Sequence, residues 1–371
     1  MRNSSQHKKI ENDVLKIYRK VSPSHRNLMT AKSKKLFFTQ RVNLFKTLGL
    51  PLSFFNNKKI LEIGGGTGEK SLFYAFYGAN VTLLEPNEKS CSVARDIFST
   101  ARLSHKLKII NQSLFDFDLS KIKDYDMICA EGVLHHTYNP MKSLNLIVKN
   151  MKQNQVIFIA IGESHGMFKR ELQKYLANKL GKSDPLTIEK TVKDLFAEHL
   201  QRATNFDLRS EKSVIYDNFI LSQDKSSNLQ DICDVLAKNK IFHLSSYPSL
   251  NSFYTTIPWG RDRENSFNYK YYESYYRFLE KIWMTCGEEN LSHDLTKFDI
   301  KNIEVRVEKD VKKLLKLQNK IRKGTFHRAD LRILQKGYMG VGLNYFVGMK
   351  ENTDSSIFAS ELRSYSKKEL S

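Results

Sequence analysis

The sequence of 371 residues has few cysteines and no long apolar run. These two features disfavour a membrane-spanning protein and a disulfide-bonded or zinc-binding one. No stretch approaches the ~20 consecutive apolar residues that a membrane-spanning helix needs. The first residues, MRNSSQHKKIEND, lack the apolar centre of a secretion signal. The four cysteines are far apart, without the paired spacing of a zinc site. The sequence therefore predicts a cytoplasmic protein with reduced thiols, no membrane span and no metal site.

Acidic residues are scarce relative to basic ones, and the imbalance lies at the two ends of the chain. The formal net charge is +20. Residues 1–60 hold 14 Lys and Arg against 2 Asp and Glu, and residues 301–371 hold 16 against 8. Basic ends can bind nucleic acid or another anionic surface. A chain rich in Lys and Asn throughout also carries such an excess as solvated charge, so both interpretations stay open.

A glycine-rich turn joins an apolar stretch to a helical one in KKILEIGGGTGEKSLFYAFYGANVTLLEPN, residues 58–87. A phosphate loop, G-x-x-x-x-G-K-[ST], would need glycine where this chain has Glu69. A dinucleotide fingerprint, G-x-G-x-x-G, would need glycine at the same position. A carboxylate there would face the phosphates and occupy room that backbone N–H donors need. A phosphate loop for ATP or GTP is therefore disfavoured, and NAD remains a weaker alternative.

The pattern that does fit the turn is acid-x-Gly-x-Gly-x-Gly. Its members are Glu62, Gly64, Gly66 and Gly68. The pattern follows the apolar strand Ile60–Ile63 and precedes a helix, and it resembles motif I of the class I S-adenosylmethionine-dependent methyltransferases. Glycine suits such a turn because it lets the backbone bend sharply and approach a ligand closely. The resemblance implies an α/β fold with a Rossmann-like seven-stranded sheet, mostly parallel with an antiparallel last strand, and S-adenosyl-L-methionine as the cofactor.

The same resemblance implies roles for a set of residues around that cofactor. In the family, the acid at the Glu62 position helps to hold the methionine end, and an acid at the end of the next strand, here Glu85, accepts both ribose hydroxyls. NAD enzymes share the second acid, so Glu85 alone does not discriminate. The full set expected to bind the cofactor is Glu62, Gly64, Gly65, Gly66, Gly68, Glu85, Pro86, Gln112, Ser113, Glu131 and Gly132.

The sequence departs from the family pattern after its third strand, Leu107–Asn111. Members usually place an acid there to bind the adenine amino group, whereas this chain has Gln112 and Ser113, with Asp116 further on. The departure concerns the adenine contact and not the choice of cofactor.

A second motif lies in YDMICAEGVLHHTYNP, residues 125–140. It resembles the post-strand-four motif of small-molecule methyltransferases in the same superfamily, in which this loop passes beside the methyl-bearing sulfur. Methyl transfer is an in-line displacement that depends mainly on positioning, and it needs a base only when the acceptor must lose a proton. His136, and with less weight His135, are therefore candidate bases. In the family, the pair often only shapes the pocket.

Strand and helix signals alternate over residues 58–161 and predict a parallel sheet covered by helices. Ligands of open α/β sheets bind beyond the carboxyl ends of the strands, so an insertion that starts there can shape the substrate pocket.

The sequence predicts a division of the chain into seven parts. They are a basic N-terminal helical segment (1–57), the cofactor-binding core (58–163), a helical insertion or lid (164–225), a return to the core (226–250), an aromatic and basic second insertion (251–336), the last core strand (337–350) and a polar tail (351–371).

Polar side chains after the fifth strand and in the first insertion are candidate substrate ligands. They would grip an oxygen-rich molecule, or alternatively tether the lid. His199 and Arg202, for example, share a helix face because they are three residues apart. The full set is Glu163, His165, His199, Arg202, Tyr216 and Asp217.

These patterns favour a methyltransferase that acts on a small or medium polar metabolite, with a sugar or surface-glycan precursor as the first substrate to try. The alternative is an RNA methyltransferase that uses the basic ends. It would lack both the Asn/Asp-Pro-Pro-aromatic motif after the fourth strand and the paired cysteines of carbon-5 chemistry. A third interpretation is a non-enzymatic protein that keeps the cofactor fold. The sequence indicates neither the acceptor atom nor the oligomeric state.

Overall fold

A seven-stranded sheet organises the part of the chain that the computed structural model describes, which is residues 2–21, 25–26, 28, 30–221, 225–250, 265–285, 300–335 and 342–351. The strands are β1 (Lys59–Ile63), β2 (Asn80–Leu84), β3 (Leu107–Ile110), β4 (Met127–Glu131), β5 (Val156–Gly162), β6 (Ile241–Tyr247) and β7 (Leu343–Lys350). Their order is β3-β2-β1-β4-β5-β7-β6, and β7 runs antiparallel to both of its neighbours, β5 and β6. The predicted fold class is confirmed, with the antiparallel strand lying inside the sheet and β6 at its edge.

The central strands are apolar because helices cover both of their faces. Every residue of β4 and β5 is buried, as expected for parallel strands between two helical layers. The helices of the core are α1 (Arg2–Val21), α2 (Ala31–Thr47), α3 (Glu69–Phe76), α4 (Glu88–Thr100), α5 (Pro140–Lys149) and α10 (Leu229–Lys238). On one face, α5 and α10 pack against the sheet through Leu144, Ile147, Leu229 and Ile232.

The opposite face of the sheet is covered by α2, α3 and α4 together. Their buried aromatic residues are Phe37, Phe45, Phe73, Tyr74 and Phe98. The predicted N-terminal segment contains α1 and α2, and α2 forms one layer of the core with α3 and α4. None of the helices in the ranges given above is both long and apolar enough to cross a membrane.

The two insertions share one hydrophobic core. The first contains α6 (Ser164–Leu180), α7 (Pro185–Leu195), α8 (Ala197–Asp207), α9 (Glu211–Ile215) and a π-helix (Tyr216–Ile220), and the second contains α11 (Glu273–Thr285), α12 (Ile300–Lys323) and α13 (Arg332–Gln335). Buried residues that join the two are Leu176, Val192, Phe219, Leu314 and Ile321. The insertions, which are far apart in sequence, therefore form one helical body. Residues 251–264, 286–299 and 352–371 of the predicted division lie outside the described ranges.

Several helices begin at the carboxyl edge of the sheet, each with a side-chain cap. Asn87 Oδ1 accepts a hydrogen bond from Lys89 N at the start of α4, and Asn139 Oδ1 accepts one from Lys142 N at the start of α5. Glu163 caps α6 in the same way. Caps satisfy the unpaired N–H groups of a first turn. The edge at which a ligand is expected therefore carries helix N-termini and short loops.

Candidate cofactor and acceptor site

The glycine-rich turn between β1 and α3 leaves no room for side chains. Gly64, Gly66 and Gly68 have φ of +63°, +59° and +81°, a region that glycine adopts freely and other residues rarely do. A Cβ on Gly64 would lie 2.3 Å from Val133 Cγ2 of the loop after β4, and one on Gly68 would lie 2.9 Å from Ala94 Cβ of α4. The turn is therefore packed directly against the loop that carries the predicted histidines.

Glu62 has a buried carboxylate with one oxygen that lacks a partner. The residue is 1% exposed, and Ser71 Oγ donates to Oε2, whereas Oε1 has no hydrogen-bond partner within the described part of the chain. Burial raises the pKa of Glu62 to about 7, although Lys70 and Ser71 oppose the rise. An unpaired buried acceptor costs about 1–3 kcal/mol. An ammonium group beside Oε1 would remove that cost, so the site fits the methionine end of the cofactor.

Glu85, directly after β2, holds the tip of the glycine turn. Its Oε2 accepts from Gly66 N at 2.9 Å, and its Oε1 accepts from Asn87 N at 3.0 Å. Burial raises the pKa of Glu85, and these two backbone hydrogen bonds oppose the rise. Each carboxylate oxygen can accept more than one hydrogen bond, so the carboxylate keeps acceptor capacity for ribose hydroxyls. Half-buried Pro86 follows it.

Glu69, the residue at which both nucleotide fingerprints fail, binds the segment before α2. Its carboxylate accepts hydrogen bonds from Thr67 Oγ1, at 2.8 and 2.7 Å, and from Arg26 N at 3.0 Å. His25 Nδ1 lies 3.0 Å from Oε1. Burial would raise the pKa of Glu69, but the hydrogen bonds from His25, Thr67 and Arg26 hold it below its ordinary value. Glu69 therefore binds an N-terminal segment of the protein. A phosphate loop or a dinucleotide fingerprint would need glycine at this position.

Glu131, expected among the cofactor ligands, is bound by protein groups. Arg41 Nη1 and Nη2 donate to its two oxygens at 2.6 and 2.8 Å, and Tyr74 Oη donates at 2.7 Å. Burial opposes ionisation, but the charges of Arg41 and Lys70 hold the pKa of Glu131 at about 2. The carboxylate thus forms a buried ion pair between α2 and the end of β4.

Sequence reasoning missed Arg41 and Tyr74 as members of this site. A signal exists in α2, where Phe37, Arg41 and Phe45 recur every four residues, so that the arginine lies on the buried face. An arginine in an apolar stripe needs a buried anion, and Glu131 is that anion.

The remaining predicted cofactor residues lie around the same edge. Gly132 has φ of +73°, and its N–H donates to Ala160 O at 2.9 Å. A Cβ on Gly65 would lie 2.7 Å from Glu62 Cδ. Gln112 is exposed, whereas Ser113 is buried and its Oγ donates to Glu11 of α1. Ser113 therefore lies against the N-terminal helix.

Two predicted residues from distant parts of the sequence meet at the loop after β4. His136 Nε2 lies 3.8 Å from Oδ1 of Asp217 in the π-helix. Asp217 also accepts hydrogen bonds from Arg209 Nη2 at 2.9 Å and from Tyr18 Oη at 3.4 Å. The ring of Tyr18 lies edge-on to that of His136, with centroids 5.9 Å apart, and the His135 ring lies 4.1 Å from His136. α1, the first insertion and the post-β4 loop therefore surround one carboxylate.

The other predicted substrate residues are spread over the helical body. His199 is buried against Phe219, and burial together with Arg170 and Arg202 lowers the pKa of His199 to about 3. Arg202 lines a surface groove with Gln40 of α2. Tyr216 precedes Asp217 and is half-buried, with Lys212 Nζ 5.9 Å from its ring centroid. Glu163 and His165 contact each other at the end of β5, with Nδ1 2.9 Å from Oε1.

Solved structures similar to this chain share low sequence identity with it. PKMT2 from Rickettsia typhi, in complex with AdoHcy, is 18% identical, with 58% of this chain and 45% of that chain covered and a TM-score of 0.43. The YcgJ protein from Bacillus subtilis is 14% identical over 53% of this chain and 69% of that one, with a TM-score of 0.33. The StiE O-MT, residues 961–1257, is 11% identical over 91% and 80%, with a TM-score of 0.38. The chain thus spans less than half the length of PKMT2.

None of the curated proteins compared with the chain matches it. Residues 54–198 match the family described as "Methyltransferase domain". The matched range contains β1 to β5, the glycine turn and the post-β4 loop. The match falls on the strands and the turn that carry the predicted cofactor residues, so this part of the chain is similar to a methyltransferase domain.

Proposed function

We propose that this protein transfers a methyl group from S-adenosylmethionine to a hydroxyl of a small or medium polar metabolite, with a sugar or surface-glycan precursor as the first candidate. The observation that carries the proposal is the contact between His136 and Asp217, with Nε2 and Oδ1 3.8 Å apart. The candidate base lies on the loop that packs against the glycine turn, and the carboxylate beside it comes from the π-helix of the first insertion.

The cofactor supplies, when bound, a methyl group on a positively charged sulfur. The residues of the chain hold it at three points in this proposal. Glu62 Oε1 would accept from the ammonium group, Glu85 would accept from the ribose hydroxyls, and the turn at Gly64 and Gly66 would provide a backbone surface for close approach. The first of these roles is supported by Glu62 Oε1, which has no hydrogen-bond partner among the described residues.

His136 removes the proton of the acceptor hydroxyl. A neutral imidazole accepts that proton on one nitrogen while the other faces a carboxylate, as in other base–carboxylate pairs. Asp217 stabilises the imidazolium that forms, and Arg209 holds the carboxylate of Asp217 in place at 2.9 Å. The π-helix of Asp217 is consistent with this role, because such helices are frequent at functional sites.

The burial of His136, Asp217 and Arg209 supports a small molecule as the methyl acceptor. The side chains of His136, Asp217 and Arg209 are only 11%, 18% and 11% exposed, because α1 and the first insertion lie over them. A polymer such as RNA would need an open groove, whereas a discrete metabolite can be enclosed and shielded from water.

Calorimetric titration and an acceptor screen test the proposal together. S-adenosylmethionine and S-adenosylhomocysteine should bind in the micromolar range, while NAD and ATP should not. Transfer should then be measured on hydroxylated acceptors, starting with sugar nucleotides, in the wild type, His136→Gln and Asp217→Asn.

Loss of general-base catalysis typically reduces kcat by 10²–10⁴-fold, and we expect a loss of this order in His136→Gln with unchanged cofactor affinity. Asp217→Asn should lower kcat by a smaller factor. An unchanged rate in His136→Gln would contradict the role of this residue. RNA binding that falls steeply with salt, together with methylation of RNA, would favour the alternative substrate class.

A further inference from the structure

A second polar cluster lies at the end of β5, separate from the pair of His136 and Asp217. It consists of Glu163, His165 and Glu280, and one ligand atom from each lies within 4.8 Å of the other two. His165 Nδ1 is 2.9 Å from Glu163 Oε1 and 3.9 Å from Glu280 Oε1. Glu280 belongs to α11, so the cluster joins the sheet edge to the second insertion.

Backbone groups fix the orientation of Glu163. Its Oε2 accepts hydrogen bonds from the N–H groups of His165 and Gly166, both at 2.9 Å, at the start of α6. These bonds leave Oε1 on the side of His165 Nδ1, where Ser164 Oγ also donates to it at 3.1 Å. Metal-ligating carboxylates are held by surrounding hydrogen bonds of this kind.

The cluster holds more negative than positive charge in a buried place. Glu163 and Glu280 are 0% and 7% exposed. The cationic groups that act most strongly on Glu280 are His165 and Arg277, and the guanidinium of Arg277 is bound to exposed Glu273 at 2.7 and 2.9 Å. Buried carboxylates without matching cations are costly. A divalent cation would offset the charge of both.

We propose that Glu163, His165 and Glu280 form a binding site for a divalent transition-metal ion, Zn²⁺ or Mn²⁺. Bonds of about 2.0–2.2 Å place neighbouring ligand atoms about 2.9–3.4 Å apart. The 2.9 Å between His165 Nδ1 and Glu163 Oε1 meets this requirement, whereas Glu280 Oε1, at 3.9 Å from His165 Nδ1, would need to move closer. One imidazole nitrogen with two carboxylate oxygens suits these ions better than Ca²⁺.

Three protein ligands leave coordination positions open, as in catalytic rather than structural metal sites. The half-exposed side of the cluster is that of His165, whose side chain is 36% exposed. If the proposed function holds, an oxygen of the acceptor would take an open position, because substrates bind at this edge of the sheet. Metal binding itself does not depend on that function. The sequence had pointed to Glu163 and His165 as substrate ligands and had missed Glu280.

The test is direct metal binding to the full chain after treatment with EDTA and desalting. Titration with MnCl2 and, separately, ZnCl2 should show one saturable equivalent per chain, checked by elemental analysis after gel filtration. Glu280→Gln should weaken this binding about tenfold or more, and Glu198→Gln, at an exposed position of α8 away from the cluster, should leave it unchanged. The titration of S-adenosylmethionine on the same samples tests the proposed function separately.

The coordination of the bound ion can be examined without any variant. Pulsed electron paramagnetic resonance of the Mn²⁺ complex should show one imidazole nitrogen coupled to the ion, which also covers the case in which Glu280→Gln does not fold. No saturable binding at millimolar metal, bound metal without nitrogen coupling, or equal affinity in the wild type and a folded Glu280→Gln variant would each overturn the proposal. The cluster would then be an ion pair in which protonated His165 bridges two glutamates.

Discussion

Arg41 of α2 binds both carboxylate oxygens of Glu131 at the end of β4, at 2.6 and 2.8 Å, although 90 residues separate them in the sequence. The arginine is only 6% exposed, and Tyr74 donates to the same carboxylate. This pair attaches the N-terminal part of the chain to the strand that precedes the post-β4 loop. Its integrity therefore bears on both the stability of the fold and the shape of the candidate site.

Arg41→Met should lower the free energy of unfolding by about 3–5 kcal/mol, because it leaves the buried charge of Glu131 without its arginine, with only Tyr74 and Lys70 beside it. The double variant Arg41→Met/Glu131→Gln should recover part of the loss, since it removes the unpaired charge as well. Urea unfolding at pH 7 measures both. A loss in the double variant as large as in Arg41→Met would contradict the assignment of the cost to an unpaired charge.

The pKa of Glu131 also predicts a dependence of stability on pH. Because the folded-state pKa is held at about 2, below the ordinary value of about 4.3, the contribution is fully present above that ordinary value. It is lost as the pH falls towards 2. Unfolding curves of Glu131→Gln should lack this part of the acid loss seen in the wild type, and equal acid losses in the two proteins would contradict the prediction.

Affinity for S-adenosylmethionine should rise between about pH 6 and pH 8 because of Glu62. Burial raises the pKa of its carboxyl to about 7 in the unbound protein, and the ionised form is the one that binds an ammonium group. Binding at pH 6.5 should therefore release protons, which calorimetry in buffers of different ionisation enthalpy detects. Glu62→Gln should bind more weakly, without this part of the proton release. An affinity that does not change over this range would remove Glu62 from the methionine end.

In the unbound protein, the same carboxyl should make stability decline as the pH rises. A folded-state pKa above the ordinary one means that the folded protein binds the proton more tightly between about pH 4.3 and pH 7. The contribution of Glu62 is then greatest below this range and is lost across it. Comparison of wild type and Glu62→Gln by thermal unfolding, without cofactor, isolates this effect, and identical pH profiles would contradict it.

Gly64→Ala should strongly weaken cofactor binding. Its Cβ would lie 2.3 Å from Val133 Cγ2, so the turn or the post-β4 loop must shift. Adding Val133→Ala should restore part of the affinity by removing that contact, while the strain of a positive φ remains. Titration of the three proteins gives the comparison. Wild-type affinity in Gly64→Ala would refute the close approach seen here.

Glu69→Gly should not create a site for NAD or ATP, although it restores the glycine that both fingerprints require. The substitution removes the partner of His25 and of the Arg26 N–H, so we expect faster proteolysis near these residues. Titration with NAD and ATP is the measurement. Micromolar binding of either one would mean that the turn is a nucleotide loop altered by one residue.

The strands and the glycine turn could be predicted from the sequence because their signals are local. The predicted strands Ile60–Ile63 and Leu107–Asn111 coincide with β1 and β3 to within one residue at each end, and the spaced glycines between a strand and a helix permit a sharp turn. The match to the methyltransferase domain confirms the class of fold that these signals indicated. The roles of the individual site residues stay predictions.

What the sequence did not indicate depends on contacts between distant segments. Nothing near Arg41 shows that its anion is Glu131, and nothing near Asp217 shows that it meets His136. The shared core of the two insertions likewise arises from apolar faces that each insertion displays separately. A helix face shows that it will be buried, but it does not name the surface that will cover it.

The position of β7 affects how the protein can fold during synthesis. Because β7 lies between β5 and the edge strand β6, β6 has no neighbour in the sheet until residues 343–350 have left the ribosome. The first five strands can pair in the order in which they emerge, whereas the last two must wait for the end of the described chain. A nascent chain of about 250 residues would therefore hold a five-stranded sheet with β5 as an uncovered edge, a species prone to pairing with other chains.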